Sequence, residues 1–231
     1  MFALWTKAKI GLLWIFLSGL NLFPNSVLAN QWNEIYQQWN QRSRASWEKK
    51  LFIKRMGQCL WHENQKIARL RIQLQALYTQ QKKKSLTGPQ KKYLQNIFSF
   101  YKVSSWNALW DRLDRVPISL ALAQGAIESG WGRARSCVRK NSFFGLRKKG
   151  RCLSFTSSQE SASCYIKTLN CHRSYALFRK LRHQMRQKKQ PLEGLKMLSG
   201  LKAYCPEANY LSRIRCTICE FQLYCFDHIA F

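Results

Sequence analysis

At 231 residues the chain has room for one large domain, or one domain with a helical extension, and excludes two full-sized domains. Lys and Arg number 39 against 11 Asp and Glu, a formal charge of +28, which excludes cations as main partners and favours polyanions. No stretch beyond the first thirty residues is apolar enough to cross a bilayer, which excludes a bundle of transmembrane helices.

The chain begins with a basic region at Lys7 and Lys9 and an apolar run from Ile10 to Leu20. Val27-Leu28-Ala29 then offers a cut ahead of Asn30. This is the pattern of a secretory leader over residues 1–29. A membrane anchor fits less well, because Asn21, Pro24 and Asn25 interrupt the apolar run early. Cleavage lowers the charge only to +26, since no acid lies among residues 1–29. For a chain expected to be periplasmic or secreted the natural polyanions are the cell wall, with its lactyl and peptide carboxylates, and anionic envelope polymers or lipid, with no nucleic acid expected.

From Ser46 to about Lys82, Phe52, Met56, Cys59, Leu60, Ile67, Leu70, Leu74 and Leu77 recur every three or four residues, which predicts one long amphipathic helix. Its apolar stripe is too short for a coiled-coil dimer, so packing against the following helix is expected. Thr87-Gly88-Pro89 breaks the run, and Pro89 opens a helix with Leu94, Ile97, Phe98 and Tyr101 on its inner face. Residues 30–103 are expected to form an N-terminal helical extension and residues 104–231 the main domain. There, Trp106 to Leu113 reads as a short helix capped by Ser104 or Ser105, and Pro117 begins the next. Leu146 to Thr156 leaves room for at most a minimal β-hairpin. Ser157 or Ser158 should cap a helix with Ala162, Tyr165, Ile166 and Leu169 on one face. Further helices are expected through Tyr175, Leu177, Phe178 and Leu181, over Leu192–Leu201 behind Pro191, and from about Ala208 to Tyr224. The fold class is mostly α, with the cleft between helices.

Glu128 is the leading catalytic candidate. It closes the apolar run Leu120-Ala-Leu-Ala-Gln-Gly-Ala-Ile and is followed by Ser129-Gly-Trp-Gly132. Leu120, Ala123, Ala126 and Ile127 share one predicted helix face, and Gly130 and Gly132 suit a sharp stop. The negative helix end and apolar neighbours both disfavour carboxylate, so a raised pKa and a retained proton are expected, as a general acid requires.

The turn Ile127 to Gly132, followed by Asn141-Ser-Phe-Phe144-Gly145, resembles the paired E-S-x-W-G and N-x-F-G turns of bacterial peptidoglycan glucosaminidases. Residues from Glu160 to Arg179, Gly200 to Tyr204 and Tyr210 to Ile214 are similar to the Bax-like subgroup of that superfamily. So are His62 to Ile67 with Arg71 and Leu74, and Arg115 to Gln124. The resemblance implies a lysozyme-like helical fold and hydrolysis of a bond next to N-acetylglucosamine. It implies substrate contacts at Ser129, Trp131, Asn141, Phe144, Gly145 and Tyr204, and places Tyr210 beside the acid. Trp131 and Phe144 are equally readable as packing residues, and Tyr210 as a core tyrosine. No cofactor is implied.

Glycoside hydrolysis usually needs a second carboxyl group. The family pattern puts it on a hairpin after the N-x-F-G turn, yet no acid lies between Glu128 and Glu160. Glu160 is the nearest candidate, although its place at a helix start suits a first-turn partner for backbone amides. Two further readings stand beside it: the substrate's acetamido oxygen in place of the second acid, and a catalytically weakened cell-wall binder. A basic polyanion-binding protein on an inherited scaffold is the third reading. Nine cysteines allow many pairings, and Cys216, Cys219, Cys225 and His228 have spacing compatible with zinc, though buried thiols or disulfides suit them better and no metal is expected.

Overall fold

The computed structural model describes residues 25–228, with side chains from Gln31 onward; the basic and apolar parts of the expected leader, residues 1–24, lie outside the described residues. The chain runs through α1 (Asn25–Arg42), α2 (Trp47–Lys83), α3 (Gly88–Tyr101), α4 (Trp106–Arg112), α5 (Ile118–Ser129) and α6 (Arg135–Lys140). The strands β1 (Arg147–Lys148) and β2 (Arg151–Cys152) follow, then α7 (Ser158–Cys171), a 3-10 turn and α8 (Ala176–Gln187). Finally come α9 (Gly194–Met197), continued as a 3-10 turn over Leu198–Leu201, α10 (Tyr210–Glu220) and a 3-10 helix, Leu223–His228. The fold is mostly α, with one minimal hairpin, as expected. In that hairpin Arg147 faces Cys152 and Lys148 faces Arg151, across a turn in which Lys149 (φ 48°) and Gly150 (φ 76°) are both left-handed. Two positive φ values are what the twist of a two-residue hairpin turn demands.

Helix α5 is the centre of the molecule. Every residue from Ile118 to Ala126 is buried, so the predicted single apolar face is corrected to burial all round, as expected of a helix apolar on every side. Around it pack α2, α10 and the last 3-10 helix. Small residues admit those neighbours: a Cβ on Gly125 would lie 3.2 Å from the Phe144 ring.

The long second helix spans the expected residues, and Phe52, Met56, Leu60, Ile67, Leu74 and Leu77 are buried. Its main partners are α7 and α5 rather than the helix that follows it. Trp32, Tyr36 and Trp39 of α1 join the same continuous core, with Trp32 against Phe226 at the far end of the chain. Trp32 also fills the space beside Gly57, where a Cβ would lie 2.0 Å from its ring. The helices before residue 104 are thus built into the core.

Ser105 and Ser157 cap α4 and α7 by accepting from Ala108 N and Glu160 N. Two expectations fail. Leu192–Leu201 is not one α-helix: it begins at Gly194, whose N–H donates to Asp227 Oδ2 (2.8 Å) and which lies against Ser119 with no room for a Cβ, and it passes into a 3-10 turn after Met197. The last helix stops at Glu220, and Gln222 turns left-handed (φ 51°) into a 3-10 segment. On α8, Leu177 is exposed while Arg179 and Arg182 are buried, because the arginines serve backbone carbonyls inside the fold.

Candidate active site

At the end of α5 the backbone turns through three successive left-handed residues, Gly130 (φ 55°), Trp131 (φ 60°) and Gly132 (φ 82°). Two glycines make most of this turn free of Cβ strain. Ser129 locks it: its hydroxyl donates to Gly125 O (2.5 Å) and accepts from Gly132 N (2.8 Å). The turn at residues 141–145 closes on the same place. Asn141 is left-handed (φ 48°), and its side-chain amide donates to Phe155 O (3.2 Å), the ordering role its sequence position suggests.

Glu128 is partly buried where these turns meet. Tyr210, at the start of α10, donates its hydroxyl proton to Glu128 Oε1 (2.9 Å). The direction of that bond is set further back: Tyr165 OH donates to Gln124 Oε1 (2.6 Å), so the Gln124 amide donates to Tyr210 OH (3.0 Å) and leaves the phenolic proton for Glu128. Glu128 Oε2 lies beside Gly145 (φ 61°), where a Cβ would come within 2.3 Å of it. Glycine at 145 therefore lets the second turn approach the carboxyl closely.

Burial raises the Glu128 pKa above the ordinary carboxyl range; the Tyr210 hydrogen bond and the charges of Arg213 and Arg147 oppose the rise, and Glu207 adds to it. Arg147 belongs to the hairpin, Arg213 to α10 and Glu207 to the loop between Tyr204 and Tyr210, so charged groups from both sides of the turns surround the acid. Glu207 is itself paired with Arg213 (3.0 Å). Burial also pushes Tyr175 up to about 12, with the Glu128 charge contributing, and drives Tyr204 and Tyr165 further above the usual phenol value. Near neutral pH these phenols keep their protons and can only donate or relay.

The structure brings together Glu128, Tyr210, Tyr204 and Gly145. Tyr204 stacks on Tyr210 (ring centroids 6.0 Å, 5° between planes) and donates to Phe144 O (2.5 Å), joining the second turn to α10. Ser129 and Phe144 are fully buried, and Phe144 stacks on Tyr165 at 4.1 Å, so neither presents a surface to a glycan. Trp131 is wedged edge-on between Phe52 (5.7 Å) and Phe221 (4.8 Å), with Lys49 Nζ 5.1 Å from its ring centre. Glu160 is engaged elsewhere: its Oε2 accepts from Thr156 N (2.7 Å) and Thr156 Oγ1 (2.8 Å), closing the N-terminus of α7.

Sequence reasoning missed Gln124, Tyr165 and Glu207. Gln124 stands four residues before Glu128 and so on the same helix face, and Glu207 is the single acid between the two tyrosines. Both signals were there to be read; Tyr165 carried none beyond its apolar stripe. Among the described residues no group of three or more His, Cys, Asp and Glu gathers to hold a metal. Cys216 and Cys219 are exposed on α10, and all nine cysteines are free thiols. No described helix is long and apolar enough to cross a membrane. Two hollows of about 480 and 320 Å³ lie elsewhere, and neither is lined by Glu128.

The chain is 35% identical to protein bax of Escherichia coli (strain K12) over 141 aligned residues, covering 51% of this chain and 52% of that protein. It therefore spans about half the length of the curated relative it matches. No solved structure matches. Residues 104–223, which include both turns and both tyrosines, match the glucosaminidase model, described as mannosyl-glycoprotein endo-beta-N-acetylglucosaminidase. That match takes in just over half of the chain, which thus belongs to the glucosaminidase family.

Proposed function

We propose that this protein is an exported glycoside hydrolase that cleaves β-N-acetylglucosaminyl bonds in peptidoglycan glycan strands, with Glu128 as general acid. The observation that carries the reading is Glu128 itself. Burial favours its protonated form, one oxygen is held by Tyr210, and the other lies against Gly145, where any side chain would collide with it. A carboxyl group so placed can deliver its proton to the leaving glycosidic oxygen. As that proton leaves, the Tyr210 hydroxyl stabilises the carboxylate that forms. Tyr204 and Asn141 act by holding the second turn against the acid, while Ser129 and Phe144 shape the floor from inside. Trp131 braces the first turn.

Glu160 is better suited to capping α7 than to activating water, since one of its oxygens already accepts two hydrogen bonds. The substrate's acetamido oxygen is then the natural nucleophile. The basic residues from Arg133 to Arg151 attract the carboxylates of the wall, and the same charge suits anionic envelope polymers or lipid. A second reading, a weakened glycan binder that keeps the fold, is favoured by the lack of any acid between Glu128 and Glu160.

Digestion of purified peptidoglycan separates the two, with product masses read after reduction. Hydrolysis should yield new reducing ends at N-acetylglucosamine, and Glu128→Gln should abolish them while leaving wall binding and the thermal midpoint nearly unchanged. Equal product from the variant rules out Glu128 as the acid; wall binding without product from either form supports the binder.

A further inference from the structure

Away from Glu128, on the face formed by α2, α4 and α8, one carboxylate collects more positive charge than it can neutralise. Asp114 is buried between α4 and α5, its side chain 3% exposed. Arg186 grips it with two bonds, Nε to Oδ2 (3.0 Å) and Nη2 to Oδ1 (2.9 Å). Arg71 and Arg182 approach Oδ2 at 4.0 and 3.9 Å. The ion pairs of all three arginines converge on this single acid. Arg115, next in the chain, adds a fourth guanidinium: burial, then the charge of Arg186, pushes its pKa down to about 10, with Asp114 opposing and Arg71 reinforcing the shift. The nearby Asp111, 2.7 Å from His183, offsets part of the excess, and its charge also acts on Arg71.

Two of these arginines reach open space. The hollow of about 320 Å³ is lined by Arg71, Arg182 and Arg186, by the carboxylates of Asp111 and Asp114, and by Gln75 among its neutral residues. The Arg71 and Arg186 side chains are 30% and 35% exposed. Arg71 donates Nη1 to the carbonyls of Trp110 and Leu113, and its guanidinium lies 5.3 Å from the Trp110 ring centre, which fixes its plane. Arg182 is fully buried and satisfied by Asp111 O, Arg115 O and Asn170 Oδ1, so it supplies charge without a free edge. The outcome is a hollow with two oriented guanidinium groups and a net positive field.

We infer that this hollow is a second binding site, for the phosphate group of an organic phosphate ester. Three arginines against two carboxylates leave one positive charge in excess, which an anionic phosphate group matches while offering its oxygens to two guanidinium groups held on different helices. A lone carboxylate would meet only one of the two. The volume exceeds that of a bare phosphate, given that one water occupies roughly 30 Å³, so there is room for part of the esterified group. Two sources share this chemistry, a soluble sugar phosphate and the headgroup of an anionic lipid.

The test titrates the whole protein with inorganic phosphate and with glucose 1-phosphate by calorimetry, ionic strength being held constant with chloride, and follows the thermal midpoint in parallel. Saturable binding and a rising midpoint are expected, since a ligand that binds only the folded state stabilises it. Gln75→Glu places a negative charge at the rim without disturbing the Asp114 network, and should weaken binding by about fivefold to tenfold. Gln37→Glu makes the same charge change on exposed α1 and should leave affinity within about twofold, as screening over roughly 8–10 Å predicts. Arg186→Gln should remove binding altogether. Vesicles of phosphatidylcholine with phosphatidic acid identify the source. Retention lost in Gln75→Glu and competed by inorganic phosphate assigns the site to lipid headgroups. Retention equal in both rim variants, with glucose 1-phosphate still sensitive to Gln75→Glu, assigns it to soluble esters. No saturable binding at constant ionic strength, or equal weakening by Gln75→Glu and Gln37→Glu, overturns the proposal.

Discussion

Tyr210 donates to a carboxyl group that burial already biases toward its protonated form, so its hydroxyl works against the rise in the Glu128 pKa. Removing it should push that pKa higher still. Tyr210→Phe is therefore expected to move the alkaline limb of the pH–rate profile toward higher pH, while lowering the plateau rate by about tenfold to a hundredfold through lost stabilisation of the departing carboxylate. A merely structural tyrosine would lower the rate and leave the limb where it was. The measurement is wall hydrolysis from pH 4 to 9 in both proteins.

Among the elements, the last 3-10 helix is tied to α5 and α9 through one side chain. Asp227 accepts from Ser119 N (2.9 Å), Ser119 Oγ (2.5 Å) and Gly194 N (2.8 Å), yet burial still pushes its pKa to about 6 from the ordinary 3.8. The folded state then holds the Asp227 proton more tightly than the unfolded chain. The stability this provides is fully present below about pH 4 and is lost as pH rises through about 6. Asp114 behaves oppositely: burial opposes its ionisation, but Arg186, Arg182 and Arg71 overcome it and hold the carboxyl at about 2, so its contribution is lost as pH falls through that value. Asp227→Asn should flatten the decline in urea midpoint between pH 4 and 6 and leave the acid limb below pH 4 intact. Glu160 serves the start of α7 in a smaller way. Glu160→Gln should lower stability by about 1 kcal/mol or less and leave the hydrolysis rate within a factor of two; a loss of orders of magnitude would make it the missing second carboxyl group.

For the molecule as a whole, the matched family segment and the folding unit differ. Residues 104–223 carry the two turns, the acid and the tyrosines, but α5 and α7 bury their outer faces against α2, and Trp32, Tyr36 and Trp39 of α1 complete the core. Deleting residues 30–103 would strip Phe52 from Trp131 and Phe143, and Trp32 and Trp39 from Phe226. The truncated chain is expected to lose cooperative thermal unfolding and to aggregate, whereas the chain from residue 30 should unfold in one sharp transition; a stable, monomeric 104–231 fragment would show that the earlier helices are dispensable. The high positive charge makes this sharper, because a core stripped of its cover must also bear the repulsion of the basic surface.

Local information was enough for much of this protein. The spacing of Phe52 through Leu77 gave α2 its limits to within a residue, Ser105 and Ser157 were legible as caps, and the glycines flanking Trp131 announced the turn beside the acid. Each of these signals lies within about four residues of what it specifies, where helix periodicity and capping act. The partners of Glu128 were legible only in outline. Its bond to Tyr210 joins residues 82 apart, Gln124 to Tyr210 spans 86 and Tyr165 to Gln124 spans 41, so the direction of the hydrogen-bond chain emerges only when α5, α7 and α10 pack. The same holds for Ser129 and Phe144, whose motif positions suggested contact with substrate but whose side chains the packed core encloses. Gly194 shows the rule from the other side: it opens α9, where a first-turn N–H has no partner within the helix, and a carboxylate 33 residues away accepts it, because a buried backbone donor must bond to whatever acceptor the fold brings within reach.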